Sequence, residues 1–208
     1  MEGVKKAELG KECWFLRKKA QVFRLSSLSE RVIKNNVIML SKTLEQAINE
    51  QINAELWSAY LYLSMSAYCH ANGQPGFGKW YDVQFQEEQD HAKILFNYVV
   101  SRGGRVVLKP IAAVPTEWKC LLEVVEETLA HERKVTGLIN NLYALASKEN
   151  DYATVSALRW FIDEQVEEEE TAQNIIDKLK MVKDNGYGLY MIDKELGGRV
   201  YSPAEPLK

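Results

Sequence analysis

The sequence predicts an all-α fold: an antiparallel four-helix bundle with one long crossover and a short fifth helix at the C-terminal end. Three observations carry that expectation. Four segments of about 30 residues each place apolar side chains at alternating three- and four-residue steps, the period of a buried helical seam. Strong breakers bound them: "ANGQPG" at 71–76, "RGG" at 102–104, "END" at 149–151 and "DNGYG" at 184–188. Strand-like alternation between hairpin turns is absent from the sequence.

The first segment runs from about Ser41, with Thr43 and Gln46 as a weak capping box, to the turn at 71–76. The second opens at Pro75, which suits a first helical position because its missing N–H would go unused there. The stretch "GGRVVLKPIAAVP" at 103–115 reads as extended chain. A third segment spans roughly Thr116 to Lys148, and a fourth ends near Lys183. The last, "LYMIDKEL" at 189–196, is short. A 30-residue helix is about 45 Å long. Tight links make two antiparallel hairpins. A dozen extended residues, at about 3.3 Å each, can carry the chain from one end of such a bundle to the other.

Composition narrows the function classes. The chain has 208 residues, 46% hydrophobic and 26% charged, which suits one globular domain. Its net charge of -3 hides an asymmetry: residues 1–38 hold nine Lys/Arg against four Asp/Glu, and residues 39–208 hold 17 against 25. The acidic body argues against nucleic acid and favours cations as ligands. Cys13, Cys69 and Cys120 are widely spaced and form no CxxC pair, which fits a reducing, cytoplasmic compartment. No apolar run reaches membrane-spanning length. The basic "CWFLRKKAQVFRL" lacks the uninterrupted apolar core of a secretory signal. Residues 1–38 read as an extension of unknown role, and 39–208 as the core domain, with Met39 a candidate start.

The seams carry acids. In the first helix the buried side reads Ile48, Ile52, Glu55, Ala59, Tyr62, Ser66, Cys69, and in the second Phe77, Tyr81, Gln84, Glu88, His91, Leu95, Tyr98. The third gives Leu121, Val125, Thr128, Glu132, Val135, Ile139, Leu142. The fourth gives Val155, Leu158, Ile162, Gln165, then Glu168 or Glu169, Ala172 and Ile176. Singly, each acid has a plainer explanation. "EQVEEEE" at 164–170 could be a solvated face, His91 a hydrogen-bonded core histidine, Tyr62 plain core, and Trp160 packing. His131, off the seam, reads as solvent-facing or as a neighbour behind Glu132, and His70 as a helix-end residue. Four carboxylates converging in an apolar core are another matter, because desolvation and mutual repulsion oppose their ionisation. One or two bound cations remove the conflict. Oxygen donors with one imidazole suit iron or manganese. Glu88 and His91, three apart on one face, can ligate the same ion.

The segments "INEQINAELWSAYLYLSMSAY", "FQEEQDHAKILFNYV", "HERKVTGLINNLYALA", "WFIDEQVEEEE" and "GYGLYMIDKEL" together resemble the prokaryotic non-haem ferritins over residues 39–198. The resemblance implies a ferritin-like bundle that oxidises Fe(II) with O2 or hydrogen peroxide at a di-iron centre. The ferric mineral would be stored in a hollow homo-oligomeric shell of 24 subunits, without haem. Under it, Glu55, Glu88 and His91 match one iron position. Glu88 bridges to a second, with Glu132 and Glu168, and Gln165 lies beside it. Glu87, Glu164 and Glu167 match an additional iron site. Tyr62 and Trp160 match aromatic neighbours able to supply electrons. Two features depart from related families. Gln165-x-x-Glu168 stands where bacterioferritins and rubrerythrins repeat Glu-x-x-His, and Gln89 stands where a bacterioferritin places its haem-ligating methionine. The alternatives are a bacterioferritin-like or peroxide-reducing di-iron oxidoreductase, and a non-catalytic helical assembly with solvated acids.

Overall fold

A computed structural model describes residues 39–205. The expectations for residues 1–38 lie outside the described residues. The unit beginning at Leu40 is built from α1 (Lys42–Ala71), α2 (Pro75–Ser101), α3 (Leu121–Lys148), α4 (Tyr152–Val182) and α5 (Gly186–Leu196). Among the described residues there is no strand, and no helix is long and apolar enough to cross a membrane.

Local chemistry sets the helix ends. Ser41, not Thr43, starts α1: its hydroxyl accepts from the Leu44 N–H at 3.0 Å, so the capping box expected at Thr43 and Gln46 is not the signal used. Residues with positive φ follow all four long helices: Gly73 (75°), Gly103 (69°), Asn150 (57°) and Lys183 (49°). This left-handed step turns the chain out of the helix while capping its last carbonyls. Asp151 then caps α4 by accepting from the Thr154 N–H at 3.0 Å.

The crossover is held against α1 by side chains that act as substitute strand partners. Asn49 donates to the Arg105 carbonyl and accepts from the Val107 N–H, at 2.9 and 2.7 Å. One turn on, Asn53 repeats the pattern with Val107 and Lys109. Ser64 donates to the Pro115 carbonyl and Tyr68 to that of Trp118. The extended chain therefore finds partners for groups that would otherwise be left to water. Helix α3 begins at Leu121, later than the Thr116 suggested by the sequence. Residues 116–120 stay in the crossover because Trp118 is buried edge-on against Tyr68, 5.1 Å between ring centres.

The apolar core forms two clusters. One includes Tyr62, Met65, Phe77, Tyr81, Val125, Ala172 and Ile176. The other includes Ile48, Ile52, Leu95, Val135, Ile139, Leu158 and Phe161. In each long helix the break between clusters falls where the seam carries an acid. The seams of α1 and α3 are buried at every position named from the sequence. In α4 the seam is rotated slightly from expectation: Thr154 and Phe161 are buried, with Val155 and Ile162 only half-buried. Tyr98, expected in the α2 seam, is half-buried because its hydroxyl reaches Thr154 and Arg102.

Helix α5 closes the end of the bundle where α2 begins. Its Ile192 and Leu196 are buried, and Asp193 Oδ1 accepts from the Gly76 and Phe77 N–H groups at 2.8 and 3.0 Å. Asp193 thus caps a helix whose own N-cap, Gln74, makes no side-chain bond. Gly76 permits this approach, since a Cβ there would lie 1.7 Å from the Asp193 carbonyl oxygen.

Candidate metal centre

The layer between the two apolar clusters is built one residue at a time from the four long helices. Helix α1 contributes Glu55 and Tyr62, α2 Gln84, Glu88 and His91, α3 Glu132, and α4 Gln165 and Glu168; all are buried. Of the two acids left open in the fourth seam, Glu168 is the one turned inward. Glu169 is half-buried and bonded to Thr136 at 2.6 Å. Protein donors take part of the carboxylate capacity. Gln51 donates to Glu55 at 2.9 Å, Gln84 to Glu168 at 2.9 Å, and Gln165 to Glu132 at 3.1 Å. Tyr62 donates its hydroxyl to Glu132 Oε1.

Two acceptors are left over. Glu55 Oε2 and Glu88 Oε2 are buried and have no hydrogen-bond partner. His91 Nδ1 lies 3.4 Å from that Glu88 oxygen, an ion-pair contact outside hydrogen-bonding geometry. A native core hydrogen-bonds nearly all such atoms, so two unbonded acceptors on adjacent helices, beside a single imidazolium, leave the layer short of positive charge. Among the described residues, no three His, Cys, Asp or Glu side chains are drawn together closely enough to hold a metal as they stand. The amide and phenol donors hold the acids apart, and a cation would have to draw them inward.

The electrostatics express the same conflict. Burial, then repulsion from Glu88, lifts the Glu55 carboxyl from 4.5 to about 8. Burial, with Glu88 and Glu168, lifts Glu132 well above the usual carboxylate range against the opposing bonds from Tyr62 and Gln165. Burial and Glu88 raise Glu168 as well. For His91, burial opposes the charged form, but Glu88, Glu55 and Glu168 outweigh it and hold the imidazolium to about 10. Burial and the acids Glu132 and Glu88 raise the Tyr62 phenol well above 10, so it remains a donor.

The scan against family models matches residues 45–182 to the ferritin-like domain. A bacterial non-haem ferritin of Bacteroides fragilis strain 638R is 47% identical over 161 residues, covering 77% of this chain and all of that protein. One from Staphylococcus saprophyticus is 42% identical over 167 residues, covering 80% of this chain and all of the relative. The chain belongs to the ferritin family. Among solved structures, the open-pore ferritin of the hyperthermophilic archaeon Archaeoglobus fulgidus superposes with a TM-score of 0.77 at 43% identity, covering 77% of this chain and 98% of that one. An engineered closed form of the A. fulgidus ferritin gives the same TM-score and identity over 78% and 99%.

Within this ferritin fold, three residues named from the sequence stand at the edge of the layer. Glu87 is half-buried, and burial lifts its carboxyl to about 7 despite the Arg199 guanidinium 2.6 Å away. Glu164 is half-buried and raised mainly by burial, whereas Glu167 is exposed. Trp160 packs edge-on against His91 at 5.4 Å. Of the two readings of His131, the solvent-facing one is excluded: it is buried, its Nε2 meets Ser58 Oγ at 2.7 Å, and its ring lies edge-on to Tyr62 at 6.0 Å. Burial and Lys134 push it down to about 4, so it is neutral. Three residues went unread. Gln51 carried a signal, since it precedes Glu55 by one turn. Ser58 and Arg199 did not, because each finds its partner only through tertiary contact.

These shifts set a pH dependence. An unfolded glutamate loses its proton near 4.5, while buried Glu55 holds its own to about 8. Between those values the folded state binds the extra proton, so the metal-free protein loses stability as pH rises through that window. His91 acts in the same direction up to about 10. The Glu55 contribution is on the order of 5 kcal/mol as an upper bound. Differential scanning fluorimetry should show the melting temperature of metal-free protein falling from pH 5 to pH 8 (roughly the Glu55 window). The fall should be shallower in Glu55→Gln and offset by Zn(II). Parallel profiles for wild type and Glu55→Gln would contradict this account.

Proposed function

We propose that the protein is a ferroxidase and iron-storage subunit, with the buried carboxylate layer as its oxidation site. The observation that carries the reading is the pair of orphaned acceptors, Glu55 Oε2 and Glu88 Oε2, beside His91 in a layer lined by Glu132, Glu168 and Gln165. Iron is the substrate. Glu55, Glu88 and His91 take one Fe(II), and Glu88 bridges to a second held by Glu132 and Glu168. Entry of the ions displaces the protons held by Glu55 and His91, because the ligating forms are the carboxylate and the neutral imidazole.

Two Fe(II) ions each give one electron to a single oxidant. O2 becomes hydrogen peroxide by taking two electrons and two solvent protons, and hydrogen peroxide becomes two waters in the same way. Hard anionic oxygens favour the ferric product, which lowers the barrier to oxidation. Gln165 supplies a neutral donor where another anion would hold the product harder, and so aids release. Tyr62, protonated and bonded to Glu132, orients that carboxylate. Glu87, Glu164 and Glu167 would take an additional ion on its way out.

The test is anaerobic Fe(II) titration, followed by admission of O2 and the near-ultraviolet absorbance of the ferric product. Wild type should bind stoichiometrically and oxidise rapidly, and Glu88→Ala should lose both, its rate falling by about a hundredfold or more. Equal, slow oxidation in the two proteins would remove the layer from the chemistry. A faster reaction with hydrogen peroxide than with O2 would select the peroxide-reducing reading instead.

Storage requires a closed shell, and we place this chain in a hollow cytoplasmic homo-oligomer of 24 copies. Support comes from α5, which buries Ile192 and Leu196 against its own bundle and leaves Tyr187, Tyr190 and Met191 outward. Met191 lines one groove with exposed Met181 at the end of α4. Met191→Glu should leave helical circular dichroism unchanged and shift light scattering to a smaller particle. An unchanged particle size would contradict the role given to this face.

A further inference from the structure

The C-terminal tail brings a fixed cation to the edge of the acidic layer. After α5, the Gly197, Gly198 and Arg199 N–H groups bond back to the carbonyls of Asp193, Glu195 and Leu196, which turns the chain onto α2. Asp193 anchors the start of this turn to the first residues of α2, so its position is set by the fold. The tail then follows one face of α2. The Arg199 guanidinium lies 4.9 Å from the centre of the Trp80 ring, donates through Nη1 to Gln84 Oε1, and donates through Nη2 to Glu87 Oε2 at 2.6 Å. Further on, the Tyr201 hydroxyl and the Ala204 N–H both reach Asp90 Oδ2, at 2.6 and 3.0 Å. Trp80, Gln84, Glu87 and Asp90 follow the helical period, so the tail lies along a groove made by one stripe of side chains.

We propose that Arg199 is a positioning and selectivity residue: its guanidinium competes with a metal ion for Glu87, weakens binding at the additional site, and orients Gln84 toward Glu168. The inference rests on the ferroxidase reading of the layer. Its two parts come from one side chain. A guanidinium can only donate, so the Gln84 oxygen must face Arg199, and the amide nitrogen is then fixed toward Glu168 Oε2 at 2.9 Å. The Glu87 carboxylate already has a positive partner on a half-buried surface, with side chains 25% and 19% exposed for Arg199 and Glu87. A divalent ion arriving at Glu87, Glu164 and Glu167 must either displace Arg199 or bind beside a like charge. Occupancy of the additional site is therefore set by the tail, and the tail couples that site to Glu168 through Gln84.

The experiment is isothermal titration of the assembled, metal-free protein with Zn(II), a redox-inactive divalent ion. The proteins are wild type, Arg199→Met, Arg199→Lys, Glu88→Ala and the double variant Glu87→Gln/Arg199→Met. Arg199→Met keeps an apolar stem over Trp80 and removes the charge. It should tighten the weaker class of sites by about tenfold or more, the scale expected when one unit charge beside a divalent ion is removed in a water-like dielectric. Arg199→Lys should stay near wild type, and adding Glu87→Gln to Arg199→Met should abolish the gain. Glu88→Ala should lose the tight class, which checks the parent reading separately. If Glu88→Ala loses tight binding while Arg199→Met titrates like wild type, the role of Arg199 is overturned alone. If the Lys and Met variants behave alike, the effect is packing and not charge, which also overturns it. If Glu88→Ala binds like wild type, both readings fall.

Discussion

Several carboxylates share one buried layer, and the rest of the structure is arranged around that conflict. Glu55, Glu88, Glu132 and Glu168 come from four different helices and are all buried. No arrangement of amide donors can neutralise them, because hydrogen bonds redistribute charge and do not cancel it. The layer holds protons on Glu55 and His91 and leaves one oxygen each of Glu55 and Glu88 without a hydrogen bond. A cation relieves all of these at once. On the proposed reading, the same residues that weaken the core would supply the affinity for iron.

The apolar core accommodates this layer by splitting in two. Each cluster is packed well enough to fix the helices on its own side. The acids therefore sit on rigid supports between two packed regions, and their approach is limited by side-chain rotation and not by helix movement. The crossover contributes to that rigidity. The Asn49 and Asn53 ladders hold it along α1, which leaves the second hairpin free to dock with its own acids facing inward. At the α5 end, Asp193 and Gly76 join the last helix to the start of α2 and aim the tail at the layer.

Most of the fold was legible because helix seams are periodic and the breakers are strong. In the seams of α1 and α3, every residue named is buried. The fourth seam was harder. A run of four consecutive glutamates gives no apolar contrast, and only packing against α2 and α3 turns Glu168 inward and leaves Glu167 out. The start of α3 was misplaced because Trp118 looks like the first turn of an amphipathic helix, yet its carbonyl belongs to Tyr68. His131 was left open between an exposed residue and a neighbour of Glu132, since its partner, Ser58, lies on another helix. Arg199 left no trace in any periodicity, because it acts from a non-helical tail. The residues of the layer were legible as a pattern of acids in seams. The Gln51, Gln84 and Tyr62 bonds that hold them apart depended on side-chain geometry that no spacing rule conveys.

The most direct test of the account is crystallographic. Metal-free crystals would be soaked with Fe(II) under argon and anomalous difference maps recorded at the iron edge. The account predicts two strong peaks in the layer, one contacting Glu55, Glu88 and His91, the other contacting Glu88, Glu132 and Glu168, with the formerly unpartnered oxygens of Glu55 and Glu88 turned onto iron. Iron density confined to the bundle exterior, with the layer unchanged from its metal-free arrangement, would contradict it.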